Sequence, residues 1–167
     1  GLGEPPADLL VERGDHPAQL GARFLEVGQL GGEDHGWVAN FSIRNVLGWP
    51  ITLFGTGKQV RDILFATDVA SAFMAFFERG SSGIYNVGGG MENAISLLEC
   101  IDLIDECTGK KSEVRFEESR FGDLKYFVCD IARARDELGW SPRVKPSEGV
   151  PLLIKWIEEQ KKILKQQ

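Results

Sequence analysis

Histidine, cysteine and tyrosine are scarce in this sequence, and each shortage removes a class of chemistry. His16 and His35 are the only imidazoles. Neither has a second ligand at metal spacing, so no metal site is expected. Three cysteines, an odd number, argue against a disulfide framework. Cys100 and Cys107 fall on one predicted helix, about 10 Å apart along its axis, too far to bridge. Cys129 stands alone beside Val128. All three suit small hydrophobes in a reducing compartment. Only Tyr85 and Tyr126 carry a phenol, and four residues after them stand Gly89 and Asp130, not lysine.

Basic excess is absent too. The net charge is -6, a balance that does not suggest the clustered cationic face that nucleic-acid backbones require, so no nucleic-acid partner is expected. No apolar run approaches the roughly 18 residues that span a bilayer, and no basic segment precedes a hydrophobic one at the N-terminus. No membrane association is expected, and a soluble cytoplasmic protein is the natural expectation. What is present is ordinary globular material, 43% hydrophobic and 26% charged, enough for one core.

Residues 1–32 differ from the rest. They are rich in Gly, Pro and acidic residues, lack lysine, and carry only weak helical periodicity. The expected organisation is an atypical N-terminal segment over 1–32 and a patterned unit over 33–167. Patterning begins near Asp34, a plausible cap, with an amphipathic helix through Trp37, Val38, Phe41, Val46 and Leu47 that ends at Gly48 and Pro50. Ile51–Phe54 and Asp62–Phe65 read as strands. Asp68 is expected to cap a helix carrying Val69, Ala72, Phe73, Phe76 and Phe77. Ile84–Val87 reads as a strand running into Gly88-Gly89-Gly90. Ser96-Leu97-Leu98-Glu99 is a capping box that opens a helix ending before Gly109. A strand over Val114–Phe116, a loop over Arg120–Asp123, a helix from Ile131 to Leu138 stopped by Gly139, and a terminal helix from Ser147 complete the pattern. Pro151 is tolerable near that helix's first turn.

One stretch carries chemistry. Gly55-Thr56-Gly57-Lys58-Gln59-Val60-Arg61-Asp62 sets two glycines and an arginine between apolar runs. Glycines let backbone turn sharply and approach a ligand, and a guanidinium fork suits a diphosphate better than an ammonium. The same residues also suit a glycine-bearing hairpin with a structural Arg-Asp pair and a solvated lysine. Two further segments are of the same kind, Asn86-Val87-Gly88-Gly89-Gly90 and Arg120-Phe121-Gly122-Asp123. The triple glycine lacks the third glycine of G-x-G-x-x-G and equally suits a flexible turn.

Taken in order, Ile51–Ala70, Tyr85–Glu99 and Arg120–Trp140, with the ending Leu138-Gly139-Trp140-Ser141-Pro142, resemble the C-terminal part of the extended short-chain dehydrogenase/reductase family of nucleotide-sugar epimerases and dehydratases. Glu33-Asp34-His35-Gly36-Trp37 and Gly57–Asp62 look most like its CDP-paratose (CDP-tyvelose) 2-epimerase branch. The resemblance implies an α/β fold, part of a Rossmann-type architecture, with a small sheet and about five helices forming a substrate-binding half. It also implies that Arg61 and Arg120 grip a nucleotide diphosphate from two sides. Phe54 would lie near the base, with Lys58, Gln59 and Asn86 assisting. For Lys58 and Gln59 a solvated loop position is the favoured reading, and Asn86 suits a turn-making amide at least as well. Asp62, Asp68 and Asp123 read as pairing or capping groups.

The family's catalysis depends on NAD(P) held by a glycine-rich Rossmann turn and on a Tyr-x-x-x-Lys pair. This sequence shows neither, so no catalytic or cofactor-binding residue is assigned and no cofactor is expected in this chain. The expectation is a domain that binds a nucleotide-diphosphate sugar without turning it over. Two alternatives stand beside it: a subunit of an NAD-dependent epimerase completed by another chain, and an oligomeric interaction module without ligand. A strand over 84–87 without neighbours would expose an open edge, so self-association through that edge is expected.

Overall fold

The computed structural model describes residues 36–79 and 82–164; the expectations for residues 1–32 and for a cap at Asp34 lie outside them. Among the described residues five α-helices and five short strands follow in the order α1 (Trp37–Leu47), β1 (Ile51–Phe54), β2 (Val60–Asp62), α2 (Ala66–Arg79), β3 (Ala94–Ser96), α3 (Leu97–Thr108), β4 (Val114–Glu117), β5 (Tyr126–Phe127), α4 (Ala132–Leu138) and α5 (Pro146–Leu164). The expected α/β class with a small sheet and about five helices is what the chain adopts.

Local chemistry sets most of the boundaries. Helix α1 ends where Gly48 takes φ +75°. There the N–H of Trp49 reaches the carbonyl of Arg44 at 2.8 Å and that of Gly48 reaches Asn45 at 3.1 Å, the paired closure that only a left-handed residue permits cheaply. Helix α3 opens on the capping box: the N–H of Glu99 donates to Ser96 Oγ at 3.2 Å and that of Ser96 to Glu99 Oε2 at 2.8 Å.

Two apolar clusters hold the layers. Helices α1, α3 and α5 pack together over β1, burying Phe41, Val46, Ile51, Leu53, Ile104 and Ile157 among others. A smaller cluster joins α2 to α4 through Ala72, Ala134, Leu138 and Trp140. Asp105 ties the first cluster's edge to the approach to β4. It accepts from Asn45 Nδ2 at 3.0 Å and from Ser112 Oγ at 2.6 Å, and Lys111 Nζ lies 3.1 Å from its other oxygen.

The sheets are small. Strand β1 pairs β4 in parallel with Phe54 opposite Glu117. Strand β2 is central in a second sheet, antiparallel to β3 and parallel to β5, with Val60 opposite Tyr126.

Several expectations need correction. The second strand is Val60–Asp62, not Asp62–Phe65, because β3 and β5 fix its register from either side; Ile63 keeps only a bond to the Asn93 carbonyl. Ile84–Val87 forms no strand among the described residues, since no neighbouring strand meets its backbone and its pattern alone cannot pair. Asp68 sits inside the first turn of α2 rather than ahead of it. Its carboxylate accepts from the N–H groups of Arg143 and Val144 at 3.0 and 2.9 Å, clamping the linker before α5. Trp140 Nε1 completes that junction, donating to the Asp68 carbonyl and to Ser71 Oγ.

Candidate functional site

Topology brings two distant loops together. Because β1 runs parallel to β4 and β2 parallel to β5, the connections 55–59 and 118–125 leave the same strand ends and return to the same neighbours. The N–H of Gly55 donates to Glu117 O and that of Val60 to Lys125 O, at 2.9 and 3.0 Å. The two loops are thereby pinned side by side.

Two glycines make the first loop fit. Gly55 has φ +85°, and a Cβ on it would stand 2.9 Å from Ser119 Oγ and 3.1 Å from Gln59 Nε2. Gly57, at φ +72°, lies where a Cβ would strike Leu98 and Leu53 at 2.8 and 2.9 Å. Both positions combine a left-handed backbone with missing space, so any larger residue would displace the loop.

On this scaffold the structure gathers Phe54, Gln59, Arg61 and Arg120 around Asp123. Arg61 Nη2 donates to Asp123 Oδ1 at 2.8 Å and Nη1 donates to the Val60 carbonyl at 2.8 Å. Arg120 stacks on the Phe54 ring, its central carbon 3.7 Å from the ring centroid, a cation–π arrangement. A guanidinium carries five N–H donors, so two bonds leave Arg61 able to meet an anion.

Gln59 is not the solvated side chain that its loop position suggested. It is 8% exposed, and its Nε2 donates both to Phe54 O at 2.6 Å and to Asp123 Oδ2 at 3.0 Å. Asp123 is the group that sequence reasoning undervalued. It does pair, as read, but with an arginine 62 residues away rather than a local neighbour. The adjacent arginine and carboxylate at 61 and 62 do not pair; Asp62 Oδ2 instead accepts from the N–H of Gly90 at 3.0 Å.

Two expected site residues stand apart. Lys58 is exposed, and its backbone N–H meets Thr56 Oγ1 at 3.3 Å. Asn86 is exposed and donates to the Asp130 carbonyl at 3.3 Å. A cleft of about 420 Å³ lined by Gly89, Gly90, Tyr126, Cys129, Asp130 and Arg135 lies near Asn86's partner, and none of the four gathered residues lines it.

The triple glycine is packed rather than flexible. A Cβ on Gly88 would meet Cys129 Cβ at 2.3 Å, and one on Gly89 would meet the Ile63 carbonyl oxygen at 2.2 Å. A three-residue 3-10 turn, Met91–Asn93, follows, not a helix whose N-terminus could receive a pyrophosphate. These residues therefore do not fit a dinucleotide cradle. Thiol chemistry is also unsupported: burial pushes Cys100 up to about 12, and burial followed by the nearby carboxylates raises Cys129. Among the described residues no three of His, Cys, Asp and Glu gather at metal-binding distance.

Comparison with known proteins bears on the family and the fold. Residues 24–88 match the model of the NAD dependent epimerase/dehydratase family. Over 149 residues the chain is 32% identical to a CDP-paratose 2-epimerase of Salmonella typhi, an alignment covering 84% of this chain and 43% of that protein. The chain is a partial member of the NAD-dependent epimerase/dehydratase family. Solved members share its fold. A UDP-glucose 4-epimerase from Thermotoga maritima, crystallised with UDP-glucose, superposes with a TM-score of 0.70 at 30% identity, over 75% of this chain and 40% of its own. A UDP-glucuronic acid 4-epimerase from Bacillus cereus, in complex with UDP-glucuronic acid and NAD, gives 0.69 at 27% with the same coverage. The epimerase/dehydratase architecture is thus present as a Rossmann-type α/β part, and the chain spans about two fifths of the length of the relatives it matches.

Proposed function

We propose that this chain binds a nucleoside-diphosphate sugar through Arg61 and Arg120, with Phe54 offering an aromatic face and Asp123 orienting Arg61. One observation carries the reading. Two arginines distant in sequence, Arg61 on β2 and Arg120 in the 118–125 loop, are linked through Gln59, which bonds both Asp123 and the Phe54 carbonyl; one guanidinium is braced by a carboxylate at 2.8 Å and the other lies 3.7 Å from an aromatic ring centre. Paired guanidinium forks bracket the charged oxygens of a diphosphate with bidentate hydrogen bonds. The relatives named above act on or hold nucleotide sugars, which agrees with that chemistry. Because the 167 residues contain no Tyr-x-x-x-Lys pair and the triple glycine does not fit NAD, the reading gives this chain binding and not hydride transfer on its own.

Calorimetry with UDP, CDP and their sugars tests it. Arg61→Ala and Arg120→Ala are each expected to weaken binding about tenfold to a hundredfold, as loss of a hydrogen bond to a charged group would. Absence of heat with every nucleotide defeats the reading.

A second reading, an NAD-dependent enzyme completed by another chain, draws on a different observation. Ile84 is 86% exposed and Phe77 of α2 is 80% exposed, large apolar side chains that a partner would cover. Calorimetric titration of NAD into this chain with and without candidate partner domains, with an assay of nucleotide-sugar turnover in each mixture, tests it. No binding and no turnover in any mixture removes it.

A further inference from the structure

We infer that Gln59 is a positioning residue of this site: its buried amide fixes Asp123, and through Asp123 it sets the direction in which Arg61 presents its guanidinium. The functional consequence rests on the nucleotide-binding reading above, whereas the geometry stands independently of it. Three observations carry the inference.

The amide has only one workable orientation. Nε2 faces two acceptors, the Phe54 carbonyl and Asp123 Oδ2; turning the group over would place Oε1 against both. The orientation leaves Oε1 buried with no hydrogen-bond partner among the described residues. An orphaned buried acceptor is destabilising, so the fold accepts a cost to keep Nε2 where it is.

Asp123 is then held at both oxygens, Oδ2 by Gln59 and Oδ1 by Arg61. A carboxylate bound on one side only could swing and take the guanidinium with it; bound on both it cannot. The same Nε2 also holds the carbonyl of Phe54, the residue whose ring carries Arg120. One side chain thereby steadies the supports of both arginines. Gly55 completes the device, since a Cβ there would intrude on Nε2.

The test combines two measurements on wild type, Gln59→Leu and Gln59→Glu. The second variant keeps the length of the side chain while presenting acceptors to two acceptors. UDP and CDP affinity is read by calorimetry, and rotation of the Arg61 guanidinium is read from its Hη resonances by NMR. Both variants are expected to bind UDP about tenfold more weakly and to release the Arg61 resonances into fast rotation while the far-UV spectrum stays folded. Undiminished UDP affinity in both variants overturns the inference and leaves the binding reading intact. If wild type binds neither nucleotide, the binding reading falls, and the NMR alone decides: freed Arg61 resonances uphold the positioning geometry, unchanged ones overturn it. Loss of the folded spectrum in both variants makes Gln59 a stability residue and overturns it as well.

Discussion

Arg120 shows how much of a residue's role is shape rather than charge. Its guanidinium carbon sits 3.7 Å from the centre of the Phe54 ring, a contact an ammonium copies poorly, because lysine offers a compact charge with neither a plane nor a fork. Arg120→Lys keeps the charge and is nevertheless expected to lower UDP affinity roughly tenfold, measurable by calorimetry beside Arg120→Ala. An unchanged affinity would mean that charge alone suffices. Gly89 is the converse case, a residue valued for what it lacks. A methyl there would stand 2.2 Å from a backbone oxygen, and backbone yields poorly, so Gly89→Ala is expected to cost about 2 to 3 kcal/mol in chemical denaturation. The sequence made Arg61 and Arg120 legible as candidates because arginine beside glycine is a recognisable local pattern. It could not reveal Asp123 as the brace of Arg61 or Gln59 as buried. Both depend on two loops that meet only after β1 has paired with β4 and β2 with β5.

Elements whose limits are local were legible for the same reason. The capping box of α3 needs only residues 96 to 99, and the stops at Gly48, Gly109 and Gly139 need only a left-handed φ. Ser96→Ala is expected to lower stability by about 1 kcal/mol, the usual worth of such a cap. The box also predicts a pH dependence. The Ser96 hydroxyl and then its backbone N–H hold Glu99 below the ordinary glutamate range. A depressed folded value means the carboxylate's contribution is present above the unfolded pKa and is lost as pH falls through the folded one. The difference in thermal midpoint between wild type and Glu99→Ala should therefore persist at neutral pH and shrink in that acid window; a gap that grows on acidification contradicts the assignment. Strand β2 was misplaced by two residues for the opposite reason. Its hydrophobic run suggested 62–65, but register belongs to the partners, and those lie more than 30 residues away at β3 and β5. Ile84–Val87 has a strand's composition and, among the described residues, no strand beside it.

That segment and the helix beside it carry a prediction at the scale of the whole molecule. The apolar face of α2 turns Phe73 and Phe77 to solvent, 72% and 80% exposed, and Phe76 stacks edge-on against Tyr85 at 5.9 Å, so helix and segment form one surface. An apolar stretch outside any sheet is a template for pairing with another chain, even with the Ile84 carbonyl already taken by Arg133 Nη1 at 3.0 Å, and the adjacent phenylalanines supply the burial that would make pairing favourable. Each phenylalanine fully buried contributes roughly 1.5 to 3 kcal/mol. Replacing two of them with charge should thus weaken association by about a hundredfold or more, given tenfold per 1.4 kcal/mol. Sedimentation velocity across a concentration series is expected to show reversible self-association of the wild type, and Phe73→Glu with Phe77→Glu to return it to monomer. The proposed nucleotide site offers an internal control, because Arg61 on β2 and Asp123 in the 118–125 loop belong to elements other than α2, and UDP binding should survive both substitutions. A wild type that stays monomeric at every concentration, with the amides of residues 84–87 protected from hydrogen exchange, would show that the chain satisfies this surface by itself.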